Sequence, residues 1–118
     1  MKSLGFIGKL LYALPFAMFG FFHFMNASGM AGMVPSVFPA PEAWVYLTGL
    51  GHILAVVAIV IDKKAKLATM LLGIMLLSFA LLIHFSGFMD GDQMATGNFL
   101  KDTSLAGAAF FMSSKLTN

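Results

Sequence analysis

Residues 43–61, AWVYLTGLGHILAVVAIVI, and residues 67–88, LATMLLGIMLLSFALLIHFSGF, decide the fold of this chain. Each run is almost entirely apolar, and only the lysine-rich sequence DKKAK at 62–66 separates them. A membrane span needs about 20 mostly apolar residues, because each helical residue rises about 1.5 Å through a hydrocarbon core about 30 Å thick. A connection this short makes neighbouring helices antiparallel. The two runs therefore predict a transmembrane helical hairpin.

Two further apolar segments flank this hairpin, at about 4–25 and 98–114. The last is the shortest of the four and carries charged residues near its start. Charged residues make up only 10% of the chain and hydrophobic residues 59%, whereas a soluble domain has about 25% charged residues. We therefore predict an all-α membrane protein in which residues 1–118 form a single domain. Its four transmembrane helices, at about 4–25, 43–61, 67–88 and 98–114, are expected to form an antiparallel bundle.

The lysines predict the orientation of this bundle. The chain has seven lysines and no arginine, and alternating spans put six of the lysines on one side. Those six are Lys2, Lys9, Lys63, Lys64, Lys66 and Lys115. Lys101 alone falls on the other side, beside Asp90 and Asp92. Because lysine-rich short loops stay in the cytoplasm, both termini are predicted to be cytoplasmic (N-in/C-in).

The same charge pattern bears on partners and processing. The net charge of +2 is expected to face anionic lipid headgroups, so the partner is the lipid bilayer and not nucleic acid. We expect the first apolar segment to be retained, because no convincing small-x-small cleavage site follows it. The chain has no cysteine, so no disulfide or thiol chemistry is expected.

Polar side chains within the predicted spans mark the candidate site. They are His23, His52, His84, Lys101 and Asp102. All five map to the outer half or the middle of the bilayer, with His52 the deepest, ~12 Å along its helix from Trp44. Polar groups at such depth are costly in lipid and usually face the interior of the bundle. The sequence thus predicts one outward-facing polar pocket, which is a candidate ligand-binding site, with a partner for His52 on another helix.

A purely structural role for the histidines stays open. A neutral imidazole can donate to a backbone carbonyl or a hydroxyl group and simply join two helices. Zinc ligation by three histidines would need them at one depth, which the position of His52 disfavours. Haem held by His23 and His84 has no further support, and copper would require closely spaced methionines, which the ten methionines do not form. No metal site is predicted, and no nucleotide motif or nucleophile–base pair identifies catalytic residues.

Several short motifs resemble DoxX-like membrane proteins. GFFHF at 20–24, VPSVFP at 34–39 and WVYLTG at 44–49 resemble the front half of that family. NFLKD at 98–102 resembles the start of its last helix, and Ile83-His84 the end of its third. In that family a glutamate commonly follows the second-helix glycine, where this chain has His52. The resemblance implies four transmembrane helices in the bacterial cytoplasmic (inner) membrane and a link to redox or sulfur metabolism, since the family takes its name from a subunit of a thiosulfate–quinone oxidoreductase.

Two functions follow as hypotheses. In the first, the chain is a non-catalytic partner or assembly subunit of a membrane redox system, which binds another protein or a second copy of itself. In the second, it is an oxidoreductase subunit that binds a quinone or another small apolar ligand in the histidine pocket. The lack of a recognisable catalytic set favours the first.

Overall fold

The computed structural model describes residues 2–117, without the side chain of Lys2. Within that range every regular element is helical and none is a strand, which confirms the all-α prediction. In chain order the elements are α1 (Lys2–Met25), α2 (Ala27–Met30), a 3-10 turn (Ala31–Met33), α3 (Pro41–Ile61), α4 (Ala65–Phe79), a π-helical turn (Ala80–His84), α5 (Phe85–Met89) and α6 (Gln93–Lys115). The stretch from α4 to α5 is continuous and forms one long rod, Ala65–Met89.

Three of the described helices are long and apolar enough to cross a membrane: Ser3–Met25, Pro41–Ile61 and Ala65–Met89. They contain the first three predicted spans. The fourth predicted span lies within α6, which begins at Gln93, before the predicted residue 98. Its first half carries polar and charged side chains, so α6 does not belong to this group. Met1 and Asn118, the ends of the predicted topology, lie outside the described residues.

Helix ends follow from local chemistry. Pro41 opens α3, where its missing N–H costs nothing. The chain reverses between α3 and α4 within three residues, and Asp62 and Lys64 both have a φ of 57°. At the start of α6 the Asp92 carboxylate accepts a hydrogen bond from the Ala95 N–H at 3.1 Å. This N-terminal cap starts α6 at Gln93, before the apolar segment 98–114 from which the helix was predicted.

The four long elements pack as two pairs. Helix α1 runs along α3, and the rod 65–89 runs along α6. Glycines allow the close approach in each pair. A Cβ atom at Gly49 would lie 2.8 Å from His23 Cβ and 3.2 Å from the Gly20 carbonyl oxygen, and one at Gly73 would lie 2.6 Å from the Phe110 ring. Such close approach brings the two helices of each pair into direct packing contact.

The two pairs are joined at one end, which we call the turn end because it holds the 62–64 turn. There the 62–64 turn and the packing of α3 on α4 connect the two pairs. Within the second pair, the Lys66 ammonium donates to the Ser113 carbonyl at 2.9 Å, and the Ser113 hydroxyl donates back to the Lys66 carbonyl at 2.9 Å. Nearer the middle, the Tyr12 hydroxyl donates to the Leu105 carbonyl at 2.6 Å and ties α1 to α6. A buried apolar core lies between these ties: Ala13, Phe16, Ala55, Val56, Ile59, Leu72, Leu76 and Ala106.

At the opposite end, which we call the cavity end, the pairs diverge. Helix α3 packs against α4 but makes no extensive contact with the rest of the rod, 80–89. Helix α6 by contrast packs along the whole rod. The space that opens between the two pairs is the candidate site.

Candidate functional site

The cavity between the helix pairs has a volume of about 590 Å³. Its walls are mainly apolar, with polar groups contributed by all four long elements. The polar lining residues are His23, Thr48, His52, Ser78, His84, Asn98, Lys101 and Asp102. Small-molecule sites have volumes of about 300–1,000 Å³, largely apolar walls and a few polar groups that orient the ligand. All five predicted site residues line this one cavity.

A buried charge cluster lies on the α6 side. His84 Nε2 is 3.4 Å from Asp102 Oδ2, and Lys101 Nζ is 3.7 Å from Asp102 Oδ1. The Asp102 side chain is only 7% exposed, whereas that of Lys101 is 47% exposed. The Lys101 ammonium also lies over the Phe19 ring, 5.2 Å from its centroid. A carboxylate buried this deeply needs charge partners, and here it has an imidazole and an ammonium group.

The π-helical turn positions His84 for this contact. The turn covers Ala80–His84 and so ends at the histidine. A π-turn contains about one more residue than an α-turn, which rotates all following side chains by roughly 100° about the helix axis. This rotation accounts for the orientation of His84. Its side chain is buried and faces α6, whereas the side chains of Leu82 and Phe85 are exposed. Nothing in the sequence ALLIH signals such a turn, so it could not be predicted from the sequence.

Two imidazoles, from α1 and α3, lie side by side on the wall of the cavity that this helix pair forms. Their ring centroids are 5.0 Å apart. His52 Nδ1 lies 2.9 Å from the Thr48 carbonyl oxygen, and His23 Nδ1 lies 2.5 Å from the Phe19 carbonyl oxygen. Because a carbonyl can only accept, each Nδ1 carries the hydrogen. The Nε2 atom of each neutral ring is then left as an acceptor.

The environment of His52 differs from its prediction. Its hydrogen-bond partner belongs to its own helix, so the expectation of such a partner on another helix is wrong. The Thr48 carbonyl, one turn earlier, can accept from the imidazole because a carbonyl oxygen has two lone pairs. The contact with another helix is through rings instead: His52 stacks on Phe16 with centroids 5.6 Å apart. His52 is 3% exposed.

The segment after α1 covers the cavity end. It forms α2 and the 3-10 turn, then an irregular stretch, and contributes only apolar lining side chains. These are Met30, Met33, Val34, Pro35 and Phe38. The Phe38 ring packs on Trp44 of α3, with centroids 5.3 Å apart. We call the segment 27–38 the roof.

The aromatic walls are the part of the site that the sequence did not lead us to predict. Phe16 and Phe19 of α1 and Phe79 of α4 line the cavity beside the histidines. The signal was present, because residues 16, 19 and 23 share one face of a helix at a spacing of three and four. That spacing would have placed His23 at the end of an aromatic stripe.

The arrangement offers hydrogen-bond chemistry between mainly apolar walls. Lys101 provides a donor, His23 and His52 provide acceptors, and the pair of His84 and Asp102 can hold a proton. Within residues 2–117, no group of three or more histidine, aspartate, glutamate or cysteine side chains could hold a metal ion. The geometry therefore suits the polar end of an organic ligand.

Comparison with known proteins gives one match. A family model described as "Domain of unknown function (DUF8561)" matches residues 12–90. That range includes all three cavity histidines and ends before α6, so Lys101 and Asp102 lie outside it. No curated protein and no solved structure matches the chain.

Proposed function

The chain belongs to the DUF8561 family, a domain of unknown function, and we propose that it is an integral membrane protein that binds a small apolar ligand by its polar end. The ligand class that fits best is a quinone. The observation that carries the proposal is a single cavity of about 590 Å³ that gathers five intramembrane polar side chains within apolar walls. Polar groups at membrane depth are expensive and usually functional.

Membrane integration rests on the three long apolar helices, and we propose α6 as a fourth span. Helix α6 packs along the whole rod 65–89 and buries Asp102 against it. Its one buried carboxylate is thereby shielded from lipid. With four spans the turn end, which carries Lys63, Lys64 and Lys66, is proposed to be cytoplasmic (N-in/C-in). The DoxX-like relationship and the bacterial cytoplasmic membrane belong to the same proposal, supported by the quoted motifs.

The donors and acceptors of the cavity match the two oxidation states of a quinone. The Lys101 ammonium can donate to a quinone carbonyl oxygen. When the ring is reduced, its hydroxyl groups can donate to the Nε2 acceptors of His23 and His52. The ring itself fits between aromatic walls, where offset or edge contacts are favourable. The same cavity therefore accommodates the quinone and its reduced form without any movement of its charged side chains.

The role of partner or assembly subunit stays a prediction. The described residues present apolar helix faces that suit lipid, and no exposed feature among them selects a particular protein. A ligand-binding role is compatible with such a subunit and requires no catalytic residue.

The only tryptophan of the chain provides the test. Trp44 lines the cavity, so a bound quinone quenches its fluorescence. In lipid nanodiscs, titration with a decyl-tailed benzoquinone is expected to give saturable quenching with one site per chain. Lys101→Met should raise the dissociation constant about tenfold, because a hydrogen bond to a charged group is worth about 1.5–3 kcal/mol.

Lys63→Met is the matched control, since Lys63 lies in the exposed turn at the other end of the molecule. It should bind like the unmodified chain. Quenching that rises linearly with probe concentration, without saturation, would contradict the proposed function. An equal loss of probe affinity in Lys101→Met and Lys63→Met would also contradict it.

A further inference from the structure

We infer that the ligand reaches the cavity sideways from the bilayer, through the gap between α3 and the π-helical turn, and that its apolar chain stays in this gap while its polar end is bound. The inference rests on the proposed function and extends it. It defines the ligand as an amphiphile with one long apolar chain, delivered by lipid rather than by water.

The gap follows from the divergence of the helix pairs. Helix α3 packs on α4 near the turn end but has no extensive contact with 80–89. On the two sides of the gap, Leu47 of α3 and Leu82 of the π-helical turn both line the cavity. They are nevertheless 57% and 60% exposed. Residues that line a cavity and are open to the outside at the same time mark its opening.

The surface around this opening is suited to lipid. Leu50 and Leu54 on α3 and Leu81 on the π-helical turn are all exposed and do not line the cavity. In water such a contiguous apolar surface would be unfavourable, whereas in a bilayer it is the ordinary outer face of a span. The opening therefore leads into the hydrocarbon region.

The other routes are less suitable. Above the cavity lies the roof, whose lining side chains are all apolar. Between α1 and α6, the Lys101 ammonium lies over the Phe19 ring and occupies the space. A chain-bearing ligand that enters between α1 and α6 would have to displace a charged group, and one that enters beside Phe38 would have to separate its ring from Trp44. Entry through the leucine-lined gap requires neither.

The depth of the polar groups explains why a chain would remain in the gap. His52 lies two turns below Trp44, ~12 Å along α3. A ring held at that depth directs its substituent towards the nearest opening, which is flanked by Leu47. The apolar chain of the ligand, when it lies in this gap, exchanges contacts with lipid for contacts with protein at a small cost in free energy.

The experiment narrows the gap and compares two probes in nanodiscs by Trp44 quenching. The gap variant is Leu47→Phe with Leu82→Phe, and the control is Leu54→Phe with Leu81→Phe on the same two elements. The probes are a decyl-tailed benzoquinone and the same benzoquinone without a tail. In the gap variant the affinity for the tailed probe should fall about tenfold relative to the control variant, the effect of a steric mismatch of one or two methylene groups. The affinity for the tail-less probe should fall much less.

The outcomes separate this inference from the proposed function. If neither probe binds the unmodified chain, the proposed function itself fails. If both probes bind the unmodified chain and the gap and control variants behave alike, the proposed function stands and lateral entry is wrong. An equal loss of affinity for both probes in the gap variant, repeated in the two single substitutions, would also overturn lateral entry. The effect would then not depend on the apolar tail of the probe.

Discussion

The contact between α1 and α3 can be tested by adding a single methyl group at Gly49. An ideal Cβ atom there would lie 2.8 Å from His23 Cβ and 3.2 Å from the Gly20 carbonyl oxygen. Neither neighbour is the end of a flexible side chain, so the helices must separate or shift. Overpacking of this kind costs about 1–3 kcal/mol, and the better helix propensity of alanine offsets at most about 1 kcal/mol. We expect Gly49→Ala to lower the free energy of unfolding by about 1–2 kcal/mol.

The assay is a denaturation titration with SDS in mixed micelles, followed by circular dichroism. Gly107→Ala is the matched control, because a Cβ atom there would have nothing within 4 Å. It should be neutral or stabilising by up to about 1 kcal/mol. Since the added methyl group would press on His23 Cβ, Gly49→Ala should also weaken quenching of Trp44 by the tailed benzoquinone. Equal stability of the two variants would refute the close packing of α1 on α3 at Gly49.

Three further predictions concern single contacts and the topology. Tyr12→Phe removes the hydroxyl that donates to the Leu105 carbonyl at 2.6 Å; it should cost about 1 kcal/mol in the same titration, and an unchanged midpoint would contradict the tie between α1 and α6. His52→Leu should change the free energy of unfolding by less than about 1 kcal/mol, because its hydrogen bond is to its own helix and its ring packs on aromatic rings; a larger loss of stability would assign it a greater structural role. In the proposed topology, cysteines introduced at Met33 and Asp92 should react with an impermeant maleimide in intact cells while cysteines at the termini are protected, and the reverse pattern would invert the orientation.

Much of the architecture could be predicted because it depends on length and polarity alone. An apolar run of about 20 residues bounded by lysines has few alternatives to a membrane-length helix. The same reasoning placed His23, His52 and His84 in the outer half or the middle of the bilayer, with His52 the deepest. Intramembrane polar groups turn towards one another, so their meeting in one cavity follows from depth.

The remaining features depend on partners that are distant in sequence. Gly5, Gly8 and Gly20 all lie on α1, yet a Cβ atom at either of the first two would have nothing within 4 Å, whereas one at Gly20 would lie 2.8 Å from Ile53 Cδ1. Whether a glycine is a contact depends on the facing helix, which spacing does not reveal. The π-helical turn at Ala80–His84 likewise arises where the rod meets α6, and its local sequence is ordinary.

The fourth helix shows the limit of hydropathy as a guide. Its apolar segment predicted a start near residue 98, but the Asp92 cap begins the helix at Gln93. Capping is a local hydrogen bond that an average over a window does not detect. The extra turn is polar, and it extends the helix beyond Asn98, which lines the cavity.

The central claim is that the cavity holds the polar end of an apolar molecule, and native mass spectrometry tests it most directly. The chain would be released from nanodiscs loaded with the decyl-tailed benzoquinone, alongside Lys101→Met and the Lys63→Met control. We predict a complex with one probe molecule per chain for the unmodified protein and for Lys63→Met, and a large loss of that complex for Lys101→Met. Bare chain alone in all three samples, or the same fraction of complex in all three, would contradict the claim.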